Sequence, residues 1–381
     1  MSGAVDTQTL RDALADVLKR AGMFGDDERI ERGFRAVPRE LFLPGVPLAE
    51  VYSDAAIVTK VEDGVSISSS SQPAIMALML RQLDVQPGQR VLEIGAGTGY
   101  NAALLRELVG PDGAVVTIDI DPEVAGWARE RLDAAGYAAV GVHQSDGADG
   151  WPAGAPYDRI ELTVGAAEIA PAWVAQLREG GLLVLPLGIH AGQVSLALEK
   201  RDARLVSRSA QPCGFMRMRG ALAGGLRQLA LSPEIGVNLD VTQDQRGRLA
   251  ALVQQRPRRE VWPGGLWDGF LLRRALRDPR MMLVNIDSAD FSGGGYGLVD
   301  ASLTGLTAVV GRRFAGQAEQ WTWGNASVRD ELRAELDDWH AAGAPTVDEL
   351  RVSVYPLASA PAPAADETAV DTRWWRLIVA G

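Results

Sequence analysis

Val91-Leu92-Glu93-Ile94-Gly95-Ala96-Gly97-Thr98-Gly99-Tyr100 decides the fold of this 381-residue chain, because it is an apolar strand running into a glycine-rich turn that opens a helix. Glycines belong in such a turn: it is tight, and a ligand must reach the backbone without meeting a Cβ. Around it, from residue 73 to about 208, short apolar runs alternate with amphipathic stretches. The pattern predicts strands at 90–94, 114–118, 139–143, 159–163 and 182–186, and helices at 75–83, 101–109 and 122–135. Strands and helices alternating at this spacing make a parallel sheet covered on both faces, so the expected class is α/β, a doubly wound Rossmann-like domain. Residues 7–43 ahead of it read as two short helices, with Leu10, Leu14, Val17 and Leu18 at helical spacing and Pro38 and Pro44 closing the region.

The glycine turn suits more than one nucleotide. A dinucleotide fingerprint wants its third glycine one position later, where Tyr100 stands. A dinucleotide also brings pyrophosphate, which Glu93 just ahead of the glycines would repel. S-adenosylmethionine has no phosphate and carries a sulfonium and an ammonium against one carboxylate, so it suits that glutamate. Asp119, twenty residues beyond Gly99 at the tip of the next strand, is placed to accept ribose hydroxyls. Ser145-Asp146-Gly147 follows the third strand, where Asp146 could take the adenine amino group. A lone glycine triplet reads equally well as a plain turn; three signals at successive strand ends favour the nucleoside.

Read with their flanks, these residues resemble the protein L-isoaspartate O-methyltransferase family over residues 8–210. The matching stretches are Val37-Pro38-Arg39-Glu40-Leu41-Phe42, Tyr52-Ser53-Asp54, residues 91–102, Ser145-Asp146-Gly147, Ala155-Pro156-Tyr157-Asp158 and residues 180–186. The resemblance implies a class I methyltransferase domain at 1–210, S-adenosylmethionine as donor with S-adenosylhomocysteine as product, and a peptide carboxylate as acceptor. By position it implies Glu93, Gly95, Gly97 and Gly99 as the methionine-binding loop, Asp119 as the ribose acceptor, and Asp146 with Gly147 as the adenine contact. Where the repair enzymes carry Ser-Ala-Pro-His over the substrate, this chain has Ser71-Gln72-Pro73-Ala74, preceded by Ser66-Ile67-Ser68-Ser69-Ser70. The histidine is replaced by alanine. The serine run is expected to be the acceptor-site loop, with Ser70 and Ser71 as the catalytic hydroxyl donors; its other reading is a solvated loop with a helix cap.

A second departure is the extension at 211–381, which the repair enzymes are expected to lack. Its stretches 213–220, 296–300 and 350–356 resemble the actinobacterial branch of the family, encoded beside ribosomally made lanthipeptides, lasso peptides and graspetides. That resemblance implies methylation of an aspartate in an already cyclised precursor, the ester then collapsing to an aspartimide or, after hydrolysis, isoaspartate. The extension is expected to be an α+β unit that recognises the modified precursor peptide. Strands are predicted at 281–287, 306–310 and 374–379, a helix at 328–341, and a loop at 356–365. Seven of the ten tryptophans, Trp262, Trp267, Trp321, Trp323, Trp339, Trp374 and Trp375, lie beyond residue 260, as an aromatic core or an aromatic binding surface. Complete burial of that aromatic set would favour a small-molecule acid as acceptor. Arg256, Arg258, Arg259, Arg273, Arg274 and Arg277 read first as solvated faces and second as an attraction for acidic peptide.

Composition excludes other classes. Hydrophobic residues at 47% and charged residues at 23% are the balance of a globular protein. A formal net charge of −11 opposes binding to nucleic acid or anionic lipid. One cysteine, Cys213, permits no intrachain disulfide and no cysteine-held metal, which fits a cytoplasmic location. Asp6, Asp12 and Asp16 break any signal-peptide pattern, and the most apolar run, 180–189, is about half a membrane span and contains Pro186, so no membrane role is expected.

The chemistry asks little of acid–base groups. A carboxylate nucleophile, with an unperturbed pKa of about 3.9, is already ionised at neutral pH and needs no general base. The three histidines, His143, His190 and His340, accordingly lie away from the serine run. What remains is positioning, worth on the order of 7–11 kcal/mol at most, and replacement of water by aimed donors. Three rival functions stay open: repair of isoaspartate in aged proteins, methylation of a small acid, and a binding module without turnover.

Overall fold

A computed structural model describes residues 6–224, 228–239, 241–265, 269–311 and 317–381. Helices α1 (Thr7–Arg20), α2 (Glu28–Ala36) and α3 (Leu48–Val51) lead into a hairpin of β1 (Ile57–Glu62) and β2 (Val65–Ser70). Asp63 and Gly64, with φ of 48° and 77°, make its two-residue turn, the Asp-Gly chemistry that matches strand twist. The serine run expected as a loop is thus strand β2 up to Ser70. Pleat alternation buries Ser68 and Ser70 and leaves Ser66 exposed.

The doubly wound domain follows: α4 (Pro73–Leu83), β3 (Arg90–Ile94), α5 (Tyr100–Val109), β4 (Ala114–Asp119), α6 (Pro122–Ala134), β5 (Gly141–Gln144), β6 (Tyr157–Leu162), α7 (Pro171–Gln176), β7 (Leu177–Ile189), β8 (Gly192–Arg201) and β9 (Arg204–Pro212). Proline opens α4 and α6, and Asp121 caps α6 by accepting from the amides of Glu123 and Val124 at 3.0 and 3.2 Å. The strands lie in the order β5-β4-β3-β6-β7-β8-β9. Those from β5 to β7 are parallel, and β8 and β9 return antiparallel. Val91, Leu92, Ile94, Ile160 and Leu162 are buried. Because β4 lies on one side of β3 and β6 on the other, a crevice opens at their carboxyl ends, where open α/β sheets take their ligands.

The extension forms a second, antiparallel sheet from β10 (Gln228–Ala230), β11 (Ile235–Asn238), α8 (Gln243–Val253), β12 (Arg258–Val261), α9 (Phe270–Arg277), β13 (Met281–Asp287), β14 (Ser292–Val299), β15 (Gly305–Gly311), β16 (Ala318–Gly324) and α10 (Ser327–Ala341). Its strand order is β10-β11-β13-β14-β15-β16-β12. Met282, Val284 and Ile286 join the core of Leu249 and Leu252 from α8, whereas Met281 joins that of Val328, Leu332 and Leu336 from α10. The chain then returns. β17 (Arg351–Pro356), β18 (Thr368–Asp371) and β19 (Trp375–Ala380) extend the first sheet in the order β9-β17-β19-β18. The division expected at 210/211 therefore does not follow the sheets: the free edge of β9 pairs with β17, Leu205 with Val354 and Val206 with Ser353.

Trp262, Trp321, Trp323 and Trp375 are core residues, Trp339 and Trp374 are half-buried, and Trp267 lies outside the described residues. The arginines expected as solvated faces are largely bonded. Arg259 pairs with Asp290 and Glu319 over the ring of Trp321, and Arg274 pairs with Asp278, Glu331 and Glu335. Arg273 and Arg277 donate to backbone carbonyls. Among the described residues no helix is long and apolar enough to cross a membrane.

Candidate functional site

The glycine turn leaves β3 held by its neighbour strand, the amides of Gly95 and Ala96 both donating to the Ile118 carbonyl at 2.8 and 3.0 Å. Gly95 has φ +109°, and a Cβ there would stand 2.6 Å from the Thr163 hydroxyl, which itself donates to the Gly95 carbonyl. Gly99, at φ +87°, lets α5 approach α6; its Cβ would meet the Ala128 carbonyl at 3.2 Å. Gly97 instead faces a cavity of about 510 Å³, a volume that suits a nucleoside-sized ligand. The turn, strand β2, Asp119, Gly147 and the segment 212–219 line that cavity. Of the expected site residues, Ser70, Ser71, Glu93, Gly95, Gly97, Asp119 and Gly147 meet there.

Asp119 ends β4 with one oxygen accepting from the Gly97 amide at 3.2 Å and the other from Asp121 at 3.0 Å. Burial pushes its carboxyl above the usual range, and those two amides and the charge of Arg219 oppose the shift. Asp146 departs from expectation. Its oxygens accept from the amides of Ala148 and Ala221 at 2.9 and 2.8 Å, and the residue is absent from the cavity wall. Asp146 thus pins the chain just beyond segment 212–219, and of the expected adenine pair Gly147 alone lines the cavity.

Glu93 is fully buried beneath the turn, accepting from the Thr117 hydroxyl at 2.5 Å and the Asn101 amide nitrogen at 2.8 Å. The same nitrogen donates to Glu161 on β6 at 2.8 Å, a buried carboxylate that sequence reasoning missed. Burial pushes both acids up, Glu93 to about 8 and Glu161 to about 7.

On the other side of the cavity stands a second missed residue. Arg39 is fully buried, lies 5.5 Å from the Tyr100 ring centroid, and donates to the Ser70 hydroxyl at 3.2 Å and the Ser71 carbonyl at 3.1 Å. Its Nε and Nη1 have no hydrogen-bond partner. Burial lowers its pKa, opposed chiefly by Tyr100. Asp54 fixes the following turn, accepting from the Ala74 amide and the Gln72 side chain at 2.8 and 2.9 Å. Three stretches that carry the resemblance, 37–42, 52–54 and 71–74, thus converge on the serine strand. Position 74 itself does not reach the cavity wall.

The segment 212–219 roofs the cavity and is pinned along its length. Gln193 accepts from the Phe215 amide at 2.5 Å, Gly165 exchanges backbone bonds with Met216 and Met218 at 2.7 and 2.9 Å, and Arg219 pairs with Asp121 at 3.2 Å. No histidine lines the cavity. Cys213, Gly214, Phe215 and Arg217 also line a second, larger cleft of about 1850 Å³, walled by β13 and β14 of the second sheet and by the 187–193 and 370–373 regions of the first. Two side-chain oxygens lining this cleft, Glu168 Oε2 and Asn238 Oδ1, are buried without a partner. None of the described tryptophans lines it.

Comparison with known proteins identifies the family. A solved structure named protein-L-isoaspartate O-methyltransferase superposes with TM-score 0.54 and 26% identity, over 90% of this chain and 96% of its own. That structure has a counterpart to much of the extension, whereas shorter enzymes of the same name are nearly used up by their match to the first half of this chain. The protein-L-isoaspartate O-methyltransferase of Thermotoga maritima is 35% identical over 222 residues, 58% of this chain and 69% of that protein. The enzyme of the same name from Hyperthermus butylicus is 37% identical over 227 residues, 56% and 92% of the two. The family model for protein-L-isoaspartate(D-aspartate) O-methyltransferase matches residues 9–222, more than half of the sequence. The chain therefore belongs to that family of S-adenosylmethionine-dependent carboxyl O-methyltransferases.

Proposed function

We propose that the chain methylates an aspartate side-chain carboxylate in a ribosomally made, macrocyclised peptide, and that the ester then collapses to an aspartimide or, after hydrolysis, isoaspartate. The observation that carries this reading is the shared wall: residues 213–215 and Arg217 border both the cofactor-sized cavity and the cleft several times its volume. A small acid would use the first space alone. A constrained peptide could lie in the second and present one side chain to the first at low entropic cost. The core position of most tryptophans removes an aromatic surface, so the cleft itself, not a tryptophan face, is what would receive the peptide. Recognition is thus assigned to residues 211–381 together with the facing edge of the first sheet.

The cavity fits the donor. Gly97 offers a wall without a side chain, Asp119 retains lone pairs for ribose hydroxyls, Gly147 lets a flat base approach, and Glu93 supplies a carboxyl that a cationic donor would ionise. S-adenosylmethionine, when bound, supplies an electrophilic methyl group. The protein supplies donors to the acceptor carboxylate from Ser70 and Ser71, held in place by Arg39, and the step asks no proton of the cavity's own carboxyl groups because the acceptor is already ionised.

Repair of L-isoaspartate is the second reading, favoured by the names of the relatives and by the match of a solved enzyme across the extension. Mass spectrometry separates the two. Incubated with donor, a cyclic aspartyl peptide is expected to gain one methyl and then lose methanol, while its linear form and an isoaspartyl peptide stay unchanged. Methylation of the isoaspartyl peptide alone would overturn the proposal in favour of repair. Ser71→Ala is expected to lower kcat by about tenfold, one charge-assisted hydrogen bond, with donor affinity unchanged. Parallel losses in turnover and in calorimetric affinity would remove Ser71 from the acceptor side.

A further inference from the structure

Glu93 and Glu161 are register partners in the parallel pair of β3 and β6, so their side chains leave the sheet on one face, side by side. Asn101 from α5 spends both hydrogens of its amide on them, one per carboxylate, each at 2.8 Å. Thr117 from β4 takes the other oxygen of Glu93 at 2.5 Å. Neither glutamate has an ion-pair partner among the described residues, and Glu93 feels two further carboxylates, Glu161 and Asp119 on β4, both of which raise it. Asn101, itself 7% exposed, keeps its carbonyl oxygen without a partner at the cavity wall. Two carboxylates this close in a dry site do not both ionise unless a cation joins them.

We propose that Glu161 makes the cavity sense the charge of its nucleoside: with Glu93 across Asn101 it retains one proton in the free protein, releases it to solvent when the cationic sulfonium donor binds, and keeps it with the neutral thioether product. The inference rests on the reading of this cavity as the S-adenosylmethionine site. Its consequence is preference for donor over product. Methyl transfer removes the sulfonium charge, the pair takes a proton back from solvent, and the product loses the attraction that held the donor. The sign with pH follows. Burial holds Glu161 up to about 7 and Glu93 to about 8, so below that range donor binding must expel a proton; as pH rises through it that cost disappears, and donor affinity climbs relative to product. A single linked proton limits the climb to about tenfold per pH unit.

Calorimetry on the full chain tests this, titrating S-adenosylmethionine and S-adenosylhomocysteine at pH 6, 7 and 8 in buffers of different ionisation enthalpy. The wild type should release up to about one more proton with the donor than with the product at pH 6, and its donor-to-product affinity ratio should rise about tenfold or more by pH 8. Glu161→Gln keeps a partner for Asn101 and should flatten both. Equal proton counts for the two nucleosides in the wild type would overturn the proposal, whether or not the variant folds, as would a variant that keeps the wild-type slope. Binding of neither nucleoside by the wild type would overturn the cofactor reading itself, whereas binding of both with a ratio independent of pH sinks only the role of Glu161.

Discussion

Asp119→Ala is expected to weaken S-adenosylmethionine binding roughly a hundredfold while the melting temperature of the free protein stays level or rises slightly. Hydrogen bonds to a charged acceptor contribute about 1.5–3 kcal/mol each, and on the proposed reading two ribose hydroxyls would share this one carboxylate, so a loss of about 2.7 kcal/mol is a conservative sum. In the free protein the same carboxylate is a burden, since burial raises its pKa and so disfavours the charged form that neutral pH demands. A raised carboxyl subtracts stability as pH climbs from the unfolded value of about 3.9 through the folded one. The alanine variant should therefore lose that part of the pH slope of unfolding. Its two orphaned amides, Gly97 and Asp121, sit at an open cavity where water can replace the lost acceptor. Unchanged affinity by calorimetry would refute the ribose assignment, and a collapse in melting temperature would mean that Asp119 serves the fold first.

The parts of the site that were legible in sequence share one property: their cause is local. The 90–94 strand and its glycines, the 114–118 strand and Asp119 at its tip follow from periodicity and turn chemistry within a few residues of each. The hairpin was equally local, yet four serines in succession outweighed the Asp63-Gly64 turn that marks it. Strand β14 was hidden for a similar reason, because Ser292 and glycines at 293, 294, 295 and 297 carry little strand propensity. Other features were out of reach of any local reading. Glu161 gains its meaning from standing in register with Glu93, which requires knowing that β3 and β6 pair. Asp146 was found at the right strand tip, but its carboxylate is taken by an amide 75 residues further on. Likewise, nothing near residue 351 announces that β17 completes the edge of β9.

The glycine turn supplies the sharpest separation of fold from function, because Gly95 and Gly97 are glycines for different reasons. At Gly95 an alanine would adopt φ +109°, outside the left-handed well, with its Cβ 2.6 Å from the Thr163 hydroxyl and 3.0 Å from Val164. Thr163 cannot withdraw without giving up its 2.6 Å bond to the Gly95 carbonyl. Backbone strain of about 1–3 kcal/mol plus a partly buried hydrogen bond of about 1 kcal/mol should lower stability by about 2–4 kcal/mol, visible as a fall of several degrees in melting temperature. At Gly97, φ is +51°, inside that well, and the nearest atom to a new Cβ is the Ser69 carbonyl at 3.4 Å. Gly97→Ala should accordingly melt within a few degrees of the wild type, since αL costs an alanine about 1 kcal/mol. Its methyl group, however, projects into the space that a nucleoside needs, so donor affinity should fall at least a hundredfold, about 2.7 kcal/mol, the size of a severe steric intrusion. A Gly97→Ala protein that still binds S-adenosylmethionine normally would mean that the donor does not lie over this turn, and the roles given to Asp119, Glu93 and the serine strand would have to be reassigned with it.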